Sequence, residues 1–261
     1  MNYNKEIKTW ENIVALLPED ILKCIICNED AYRVKEGEYD IWFCSFCFTK
    51  FCTPRTPPDY DKVTEDNYSE YIEFSKKIKE TKKEDLIDVL NANAITFGIP
   101  LEYLKGKEHQ QILEVGCSYG YFTYALVKLG HNAIGTDVSR DAIEFAKIEF
   151  GNLYAMDVVG KFDTIIAIEV IEHVENPVAF LKKYMDMLKP GGSLVLTTPN
   201  LEFYFKILWV QLEGFATKME GMKIADRMKI VETLFDEYIW VTDPPPIHMT
   251  LFSQPSFLKI A

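Results

Sequence analysis

Residues 110–126, QQILEVGCSYGYFTYAL, constrain the fold more than any other part of this chain. An apolar run at 112–115 ends in a turn of small residues, after which apolar side chains recur at helical spacing. The pattern predicts a strand, a tight glycine turn and a helix. Glycines let a backbone approach a ligand closely, and the helix start offers N–H groups to a polar or anionic group. The turn is therefore a candidate ligand site, although such turns also occur for packing alone.

Predicted strands and helices alternate beyond this turn. Four further apolar runs predict strands, at residues 132–137, 152–156, 162–168 and 193–198. Two segments predict helices, at 139–150, with Ser139 as N-cap, and at 177–188. Continuous apolar strands between helices indicate an α/β fold with a doubly wound, mostly parallel sheet covered on both faces. Such sheets bind ligands beyond the carboxyl ends of their strands, and four acidic residues stand at those predicted ends: Glu114, Asp137, Asp157 and Glu169.

Two CxxC pairs, Cys24 with Cys27 and Cys44 with Cys47, are separated by sixteen residues. Two such pairs can place four thiolates tetrahedrally around zinc, with a hairpin between them. The alternatives are a redox pair, which would be single and would follow a strand in a βαβ unit, and four packed thiols. Because four ligands close a zinc site, the predicted zinc ribbon is structural. Cys52 is a nearby fifth thiol without an assigned role.

The predicted organisation has four parts. Residues 1–58 form an N-terminal helix and the zinc-ribbon module, which ends in the Pro-rich sequence TPRTPPDYD. Residues 59–108 form a charged helical connector, and 109–200 hold the sheet domain. Residues 201–261 form a helical insertion, expected to be a lid or an acceptor wall, followed by a shortened C-terminal part.

Charge and composition limit the classes of molecule that this protein is expected to bind. The net charge of -12, with Lys and Arg spread along the chain, disfavours nucleic acid. No window reaches the roughly 18 consecutive apolar residues of a membrane helix, and the N-terminus lacks the basic and apolar regions of a signal peptide. We therefore expect a cytoplasmic protein with no membrane partner, and paired CxxC motifs agree with a reducing compartment.

Together these motifs resemble the class I S-adenosylmethionine-dependent methyltransferases over about residues 110–200. The resemblance rests on EVGCSYG at 114–120, Asp137, Met156-Asp157, FDTIIAIEVIEHVENP at 162–177 and LKPGG at 188–192. It implies that the turn meets the methionine part of the cofactor, that Asp137 holds the ribose, and that Met156 and Asp157 meet the adenine. The implied cofactor residues are Glu114, Gly116, Cys117, Ser118, Gly120, Asp137, Met156, Asp157 and Glu169. Ser118 replaces the middle glycine of the family's turn. The turn is one residue shorter than the dinucleotide fingerprint, which favours S-adenosylmethionine over NAD.

Glu169, Glu172 and His173 are spaced to share one face of a helical turn, which we expect beside the cofactor. The segment EVIEHV, with His248 much later, is similar to the ubiquinone-type O-methyltransferases and more distantly to small-RNA 2′-O-methyltransferases. That resemblance implies a divalent ion such as magnesium, held by these three residues and His248, that binds acceptor hydroxyls. The favoured interpretation is simpler: His173 is a lone base or a structural residue, and Glu169 is the other candidate catalytic group.

A CxxC ribbon ahead of this domain is instead similar to the nucleotide-sugar C-methyltransferases. The expected function is methyl transfer from S-adenosylmethionine to a small molecule, at a hydroxyl or carbon of a sugar or polyol. The alternative is a non-catalytic protein that binds S-adenosylmethionine, or that recruits a partner through its ribbon. Only five of the family's seven strands can be formed from the sheet region, so we expect either a truncated sequence or an edge completed by a second copy of the chain.

Overall fold

The computed structural model describes residues 21–61, 68–93, 95–199, 245, 247–254 and 257. The chain divides into two compact units. The first comprises Met1–Thr56, Glu172–Val178 and Pro199–Ala261, and the second comprises Pro57–Ile171 and Ala179–Thr198. The N-terminal helix and the helical insertion predicted from the sequence lie outside the described residues.

The first unit is built on an antiparallel sheet. Its strands, in spatial order, are β1 (Ile21–Lys23), β2 (Asp30–Lys35), β3 (Asp40–Cys44), β4 (Lys50–Thr53) and β10 (Thr250–Leu251). The hairpin expected between the two CxxC pairs is β2–β3. The fifth strand, β10, pairs with β4 by placing Thr250 opposite Phe51. Sequence patterns did not predict this pairing, which joins segments about 200 residues apart.

The second unit is built on a parallel sheet. Its strands are β5 (Gln111–Val115), β6 (Asn132–Thr136), β7 (Tyr154–Ala155), β8 (Phe162–Ile168) and β9 (Leu188–Thr197). Their spatial order is β7-β6-β5-β8-β9. All four pairings are parallel, which confirms the predicted doubly wound α/β fold. The strand order reverses between β5 and β8, so the carboxyl ends of these strands form the switch point where such sheets bind ligands.

Helices cover the sheet. They are α1 (Tyr68–Glu80), α2 (Leu86–Asn93), α3 (Ile95–Leu104), α4 (Tyr121–Leu129), α5 (Arg140–Phe150) and α6 (Pro177–Met185), with short 3₁₀ turns at Lys83–Asp85 and Ile171–His173. Successive strand residues point into different clusters: Ile112 packs with Leu90 and Leu126, whereas Leu113 packs with Ile165. Both faces of the sheet are therefore buried, as the continuous apolar runs predicted.

The last strand differs from the expectation. We expected this strand to begin at residue 193, but β9 already begins at Leu188, which lies opposite Phe162. The pairing shifts register between Phe162 and Thr164, so the glycine-containing segment is accommodated as an irregularity within the strand. The Lys189 ammonium also contacts both carboxylate oxygens of Asp163 at 3.0 Å. These contacts continue the pairing of β8 and β9 through a sequence that resembles a turn.

Candidate functional site

The glycine turn after β5 has the backbone shape that only small residues adopt easily. Gly116, Ser118 and Gly120 have φ angles of 72°, 47° and 82°. A Cβ on Gly116 would lie 2.4 Å from Cγ2 of Val170, and a Cβ on Gly120 would lie 2.5 Å from Cε1 of Tyr154. Both glycines are thus required by close packing as well as by conformation. Ser118 adopts the left-handed conformation in place of the family's glycine.

Cys117 contributes to the turn through its backbone. Its N–H donates to the carbonyl of Thr136 at 3.0 Å, beside the Gly116 N–H at 2.8 Å. The thiol is buried in a core cluster with Ile143 and Phe150, and burial raises its pKa well above the ordinary value. The Cys117 side chain is therefore mainly a packing group, and its thiol lies 3.8 Å from the carbonyl of Ser118.

Asp137 lies directly after β6 and links the turn to the next helix. Its Oδ2 accepts the Ser118 N–H at 2.8 Å, and its Oδ1 accepts the Ser139 N–H at 2.9 Å. Burial raises the pKa of Asp137, and these backbone hydrogen bonds oppose that rise. Each carboxylate oxygen has a further lone pair, so the side chain can also accept two hydroxyl donors. Ser139 caps α5, as predicted, by accepting the Ala142 N–H at 3.1 Å.

Glu114 is a buried carboxyl behind the turn, within β5. Its exposed fraction is 4%, and its Oε2 accepts a hydrogen bond from the Thr123 hydroxyl of α4. Burial raises the pKa of Glu114 to about 8, although the Thr123 hydrogen bond lowers it. Near neutral pH the folded protein therefore holds this group mostly in its protonated form.

Exposed apolar side chains accompany the acids at the ends of β6 and β7. Met156 is 41% exposed next to exposed Asp157, and Val138, directly after Asp137, is 72% exposed. Apolar groups beside carboxylates offer a flat, partly apolar ligand both stacking area and hydrogen-bond acceptors. Val138 was not among the predicted site residues. It could have been included, because it is an apolar residue directly after Asp137, the residue expected to bind the ribose.

Glu169 directly follows β8 and has a left-handed conformation, with φ of 51°. Its N–H donates to the carbonyl and the hydroxyl of Thr197 at 3.0 and 3.2 Å. The last pair of β8 with β9 is one residue earlier, where Ile168 lies opposite Thr197.

Two residues upstream of the sheet also reach the turn region. Tyr71 of α1 stacks on Tyr119, with ring centroids 4.6 Å apart. Asp61 accepts a hydrogen bond from the Ser139 hydroxyl at 2.5 Å. Neither contact could be predicted from local sequence patterns, because both involve the charged segment before the sheet.

In the first unit the four predicted zinc ligands converge. The Sγ atoms of Cys24, Cys27, Cys44 and Cys47 all lie within 4.8 Å of one another. The Cys24–Cys47 and Cys27–Cys44 sulfur pairs are 3.6 Å apart. Tetrahedral zinc with bonds of about 2.3 Å separates its sulfur ligands by about 3.8 Å, so the cluster fits zinc in donor type and size. Cys52 is outside this group, with its thiol 3.6 Å from the carbonyl of Pro54.

A second cluster in the first unit joins Glu172, His173 and His248. One potential ligand atom of each lies within 4.8 Å of the others, and the imidazole centroids are 4.6 Å apart. Glu172 is fully buried, and Nδ1 of His173 is 2.8 Å from the carbonyl of Ile247. If Nδ1 carries the proton, Nε2 of His173 is left to act as a ligand or base. Glu169 belongs to the other unit, and its place in a divalent site stays a prediction.

The sequence of residues 79–261 matches the family model described as "Methyltransferase domain", which covers well over half of the chain. The chain belongs to this methyltransferase domain family. The resemblance to methyltransferases that the sequence indicated is thereby confirmed. The glycine turn and Asp137 both lie within the residues that match the family.

Individual relatives match shorter segments. The chain is 31% identical over 102 residues to a ubiquinone biosynthesis O-methyltransferase of Cereibacter sphaeroides, covering 34% of this chain and 41% of that protein. It is 32% identical over 117 residues to the mitochondrial ubiquinone biosynthesis O-methyltransferase of Schizosaccharomyces pombe, covering 40% and 43%. The chain thus spans less than half the length of these two curated relatives.

A similar solved structure is an S-adenosylmethionine-dependent methyltransferase from Clostridium acetobutylicum. It is 17% identical, covers 55% of this chain and 61% of that one, and has a TM-score of 0.39. In the part of the chain that the structure describes, no helix is both long and apolar enough to cross a membrane.

Proposed function

We propose that this protein transfers a methyl group from S-adenosylmethionine to a hydroxyl of a small-molecule acceptor. The observation that carries the proposal is the Asp137 carboxylate, which links the glycine turn to the start of α5 at the switch point of a methyltransferase-family sheet. The names of the two curated relatives, both O-methyltransferases, support oxygen as the accepting atom.

The residues of the second unit suit the cofactor along its length. The turn at Gly116–Gly120 would hold the methionine part, and Asp137 would accept from the ribose hydroxyls. Val138 and Met156 would flank the adenine, and Asp157 would accept from its amine. When bound, S-adenosylmethionine would supply a methyl on a charged sulfonium. An acceptor oxygen would attack this methyl in line, so that S-adenosylhomocysteine leaves and the hydroxyl proton passes to a base or to water. The protein's contribution is to hold the acceptor in line with that methyl and to exclude water.

In this proposal Glu172, His173 and His248 of the first unit would bind a divalent ion, magnesium or manganese. A carboxylate and two imidazoles are an acceptable donor set for such ions. Convergence of the three groups favours this role over His173 acting as a lone base. A bound ion would lower the pKa of an acceptor hydroxyl, and a pair of neighbouring hydroxyls, as in a polyol or sugar, could chelate it.

Product formation tests the function. Purified protein would be incubated with S-adenosylmethionine and, separately, with a catechol, a polyol, a sugar nucleotide and an amine, and S-adenosylhomocysteine would be quantified. We expect product with a hydroxyl acceptor, loss of product after EDTA treatment, and recovery with magnesium or manganese. Cofactor binding without product from any acceptor would favour the non-catalytic alternative. If EDTA treatment does not change the amount of product, a role for the divalent ion in the reaction is excluded.

We also propose that Cys24, Cys27, Cys44 and Cys47 bind one structural zinc ion. The convergence of the four sulfur atoms, all within 4.8 Å of one another, supports this proposal. Elemental analysis should find one zinc per chain. Less than one equivalent in freshly purified protein would count against ligation by four cysteines.

Two expectations concern assembly and location. In the described part of the second unit, β9 pairs with β8 alone, so its other edge could pair with a second copy of the chain. Sedimentation velocity would detect such a homo-oligomer, and a monomer at all concentrations would exclude it. A cytoplasmic location and the absence of nucleic-acid and membrane partners remain expectations from the sequence.

A further inference from the structure

Arg55, just after β4, uses its guanidinium to join two distant segments of the first unit. Nε donates to the carbonyl of Glu175 at 2.6 Å, and Nη2 donates to the carbonyl of Val174 at 2.8 Å. Nη1 donates to the carbonyl of Met249 at 2.8 Å, and Nη2 donates to the hydroxyl of Thr250 at 2.8 Å. A single side chain thus makes four hydrogen bonds to segments 174–175 and 249–250.

These segments are the ones that carry the Glu172–His173–His248 cluster. Val174 directly follows His173, and Met249 directly follows His248. Two further contacts join the same segments: the Met249 N–H donates to the carbonyl of Glu172 at 2.8 Å, and Nδ1 of His173 lies 2.8 Å from the carbonyl of Ile247. Arg55 therefore joins the two segments at the residues that directly follow His173 and His248 in the sequence. We call this set of hydrogen bonds the brace.

Arginine suits this position better than other cations. Its planar fork presents five N–H donors in fixed directions, whereas lysine has one nitrogen and cannot reach separated acceptors in the same arrangement. Charge-assisted hydrogen bonds are also stronger than neutral ones. The Met249 carbonyl additionally accepts the Cys52 N–H at 3.1 Å, so the brace is continuous with the ribbon sheet.

We propose that Arg55 is a positioning residue that fixes the separation of Glu172 and His173 from His248. The inference rests on the proposed divalent site for its functional meaning. That Arg55 joins the two segments follows from its hydrogen bonds and does not depend on a bound ion.

The test compares Arg55→Lys with a matched control, Arg33→Lys. Arg33 lies on β2 of the same sheet, where its guanidinium approaches Glu36 and Asp40 at 3.6 Å. Manganese affinity would be measured by titration with electron paramagnetic resonance detection of free Mn²⁺. Loss of a supporting contact typically weakens metal binding by about 10- to 100-fold, and we expect a loss of this size in Arg55→Lys and none in Arg33→Lys.

A second readout does not depend on the metal. Hydrogen exchange of the Met249 amide, which bonds to Glu172, should accelerate in Arg55→Lys and stay at the wild-type rate in Arg33→Lys. Zinc content and S-adenosylhomocysteine affinity should be unchanged in both variants, which separates loss of the brace from loss of the fold.

The outcomes separate the inference from the proposed function. If the wild type binds no manganese, the divalent site is wrong, and unchanged exchange at Met249 in Arg55→Lys would overturn the brace as well. If the wild type binds manganese and Arg55→Lys binds it equally tightly, the positioning role is overturned. Should Arg55→Lys fail to fold, Thr250→Val removes one of the four acceptors; a smaller loss of affinity supports the role, and wild-type affinity contradicts it.

Discussion

The buried carboxyl of Glu114 should make the stability of the second unit depend on pH. Its pKa is raised from 4.5 to about 8, first by burial and then by the charge of Asp137, against the lowering effect of the Thr123 hydroxyl. Between these pH values the folded protein binds a proton that the unfolded chain lacks. The stabilisation is therefore complete below about pH 4.5 and is lost as the pH rises through about 8.

The size of the effect follows from the shift. Each pKa unit corresponds to about 1.4 kcal/mol, so the free energy of unfolding should fall by about 2 to 3 kcal/mol between about pH 5.5 and pH 7.5 because of this group. Glu114→Gln replaces the protonated carboxyl by a neutral amide of similar shape, which can still accept the Thr123 hydrogen bond. The variant lacks the titration, so it should lose this part of the pH dependence.

Urea unfolding followed by far-ultraviolet circular dichroism would measure the free energy of unfolding of both proteins at several pH values. The difference between wild type and Glu114→Gln should shift in favour of the variant as the pH rises. Thr123→Val removes the hydrogen bond that lowers the pKa of Glu114, and should move the pH window upward. A difference between wild type and Glu114→Gln that is constant from about pH 5.5 to pH 8.5 would refute the buried protonated carboxyl.

Three further changes test other parts of the structure. Gly120→Ala should destabilise by about 1–3 kcal/mol more than Gly106→Ala, because both have left-handed φ but only the first places its Cβ against a ring; equal melting temperatures would contradict this. Lys128→Met should speed hydrogen exchange in α1, because the Lys128 ammonium donates to three carbonyls at or just beyond the end of that helix, and unchanged exchange would show that these bonds do not hold it. Cys44→Ser should reduce the zinc content, whereas Cys52→Ser should retain one equivalent; zinc loss in both would point to a different ligand set.

The parts of the fold that follow from local sequence could be predicted. The strand β8 has the predicted bounds, because its apolar run contains Ile165 and Ile166, which are fully buried on opposite faces. The convergence of the four cysteines also follows from spacing, since each CxxC pair forms a local turn at one end of a hairpin. Ser139 was predictable as an N-cap because a capping hydroxyl acts within three residues of itself.

Long-range pairings gave no such signal. The strand β10 has two residues, which is too short to show the alternation of apolar and polar residues that marks a strand. Its partner β4 lies about 200 residues earlier. Arg55 binds mainly to backbone carbonyls, which every residue has, so nothing in the sequence marks its partners. The early start of β9 was missed because pairing with β8 and the Lys189–Asp163 contact stabilise a segment whose proline and glycines resemble a turn.

The central claim is that the site around Asp137 binds S-adenosylmethionine, and calorimetry tests it most directly. Titration with S-adenosylmethionine and S-adenosylhomocysteine should show one site per chain in the wild type. Asp137→Ala should bind at least about tenfold more weakly, because it removes a carboxylate that bonds the turn and that, in the proposed site, also accepts from the ligand. Asp141→Ala, on the exposed first turn of α5, should bind like the wild type. No binding by the intact chain, or binding unchanged in Asp137→Ala, would contradict the proposed site.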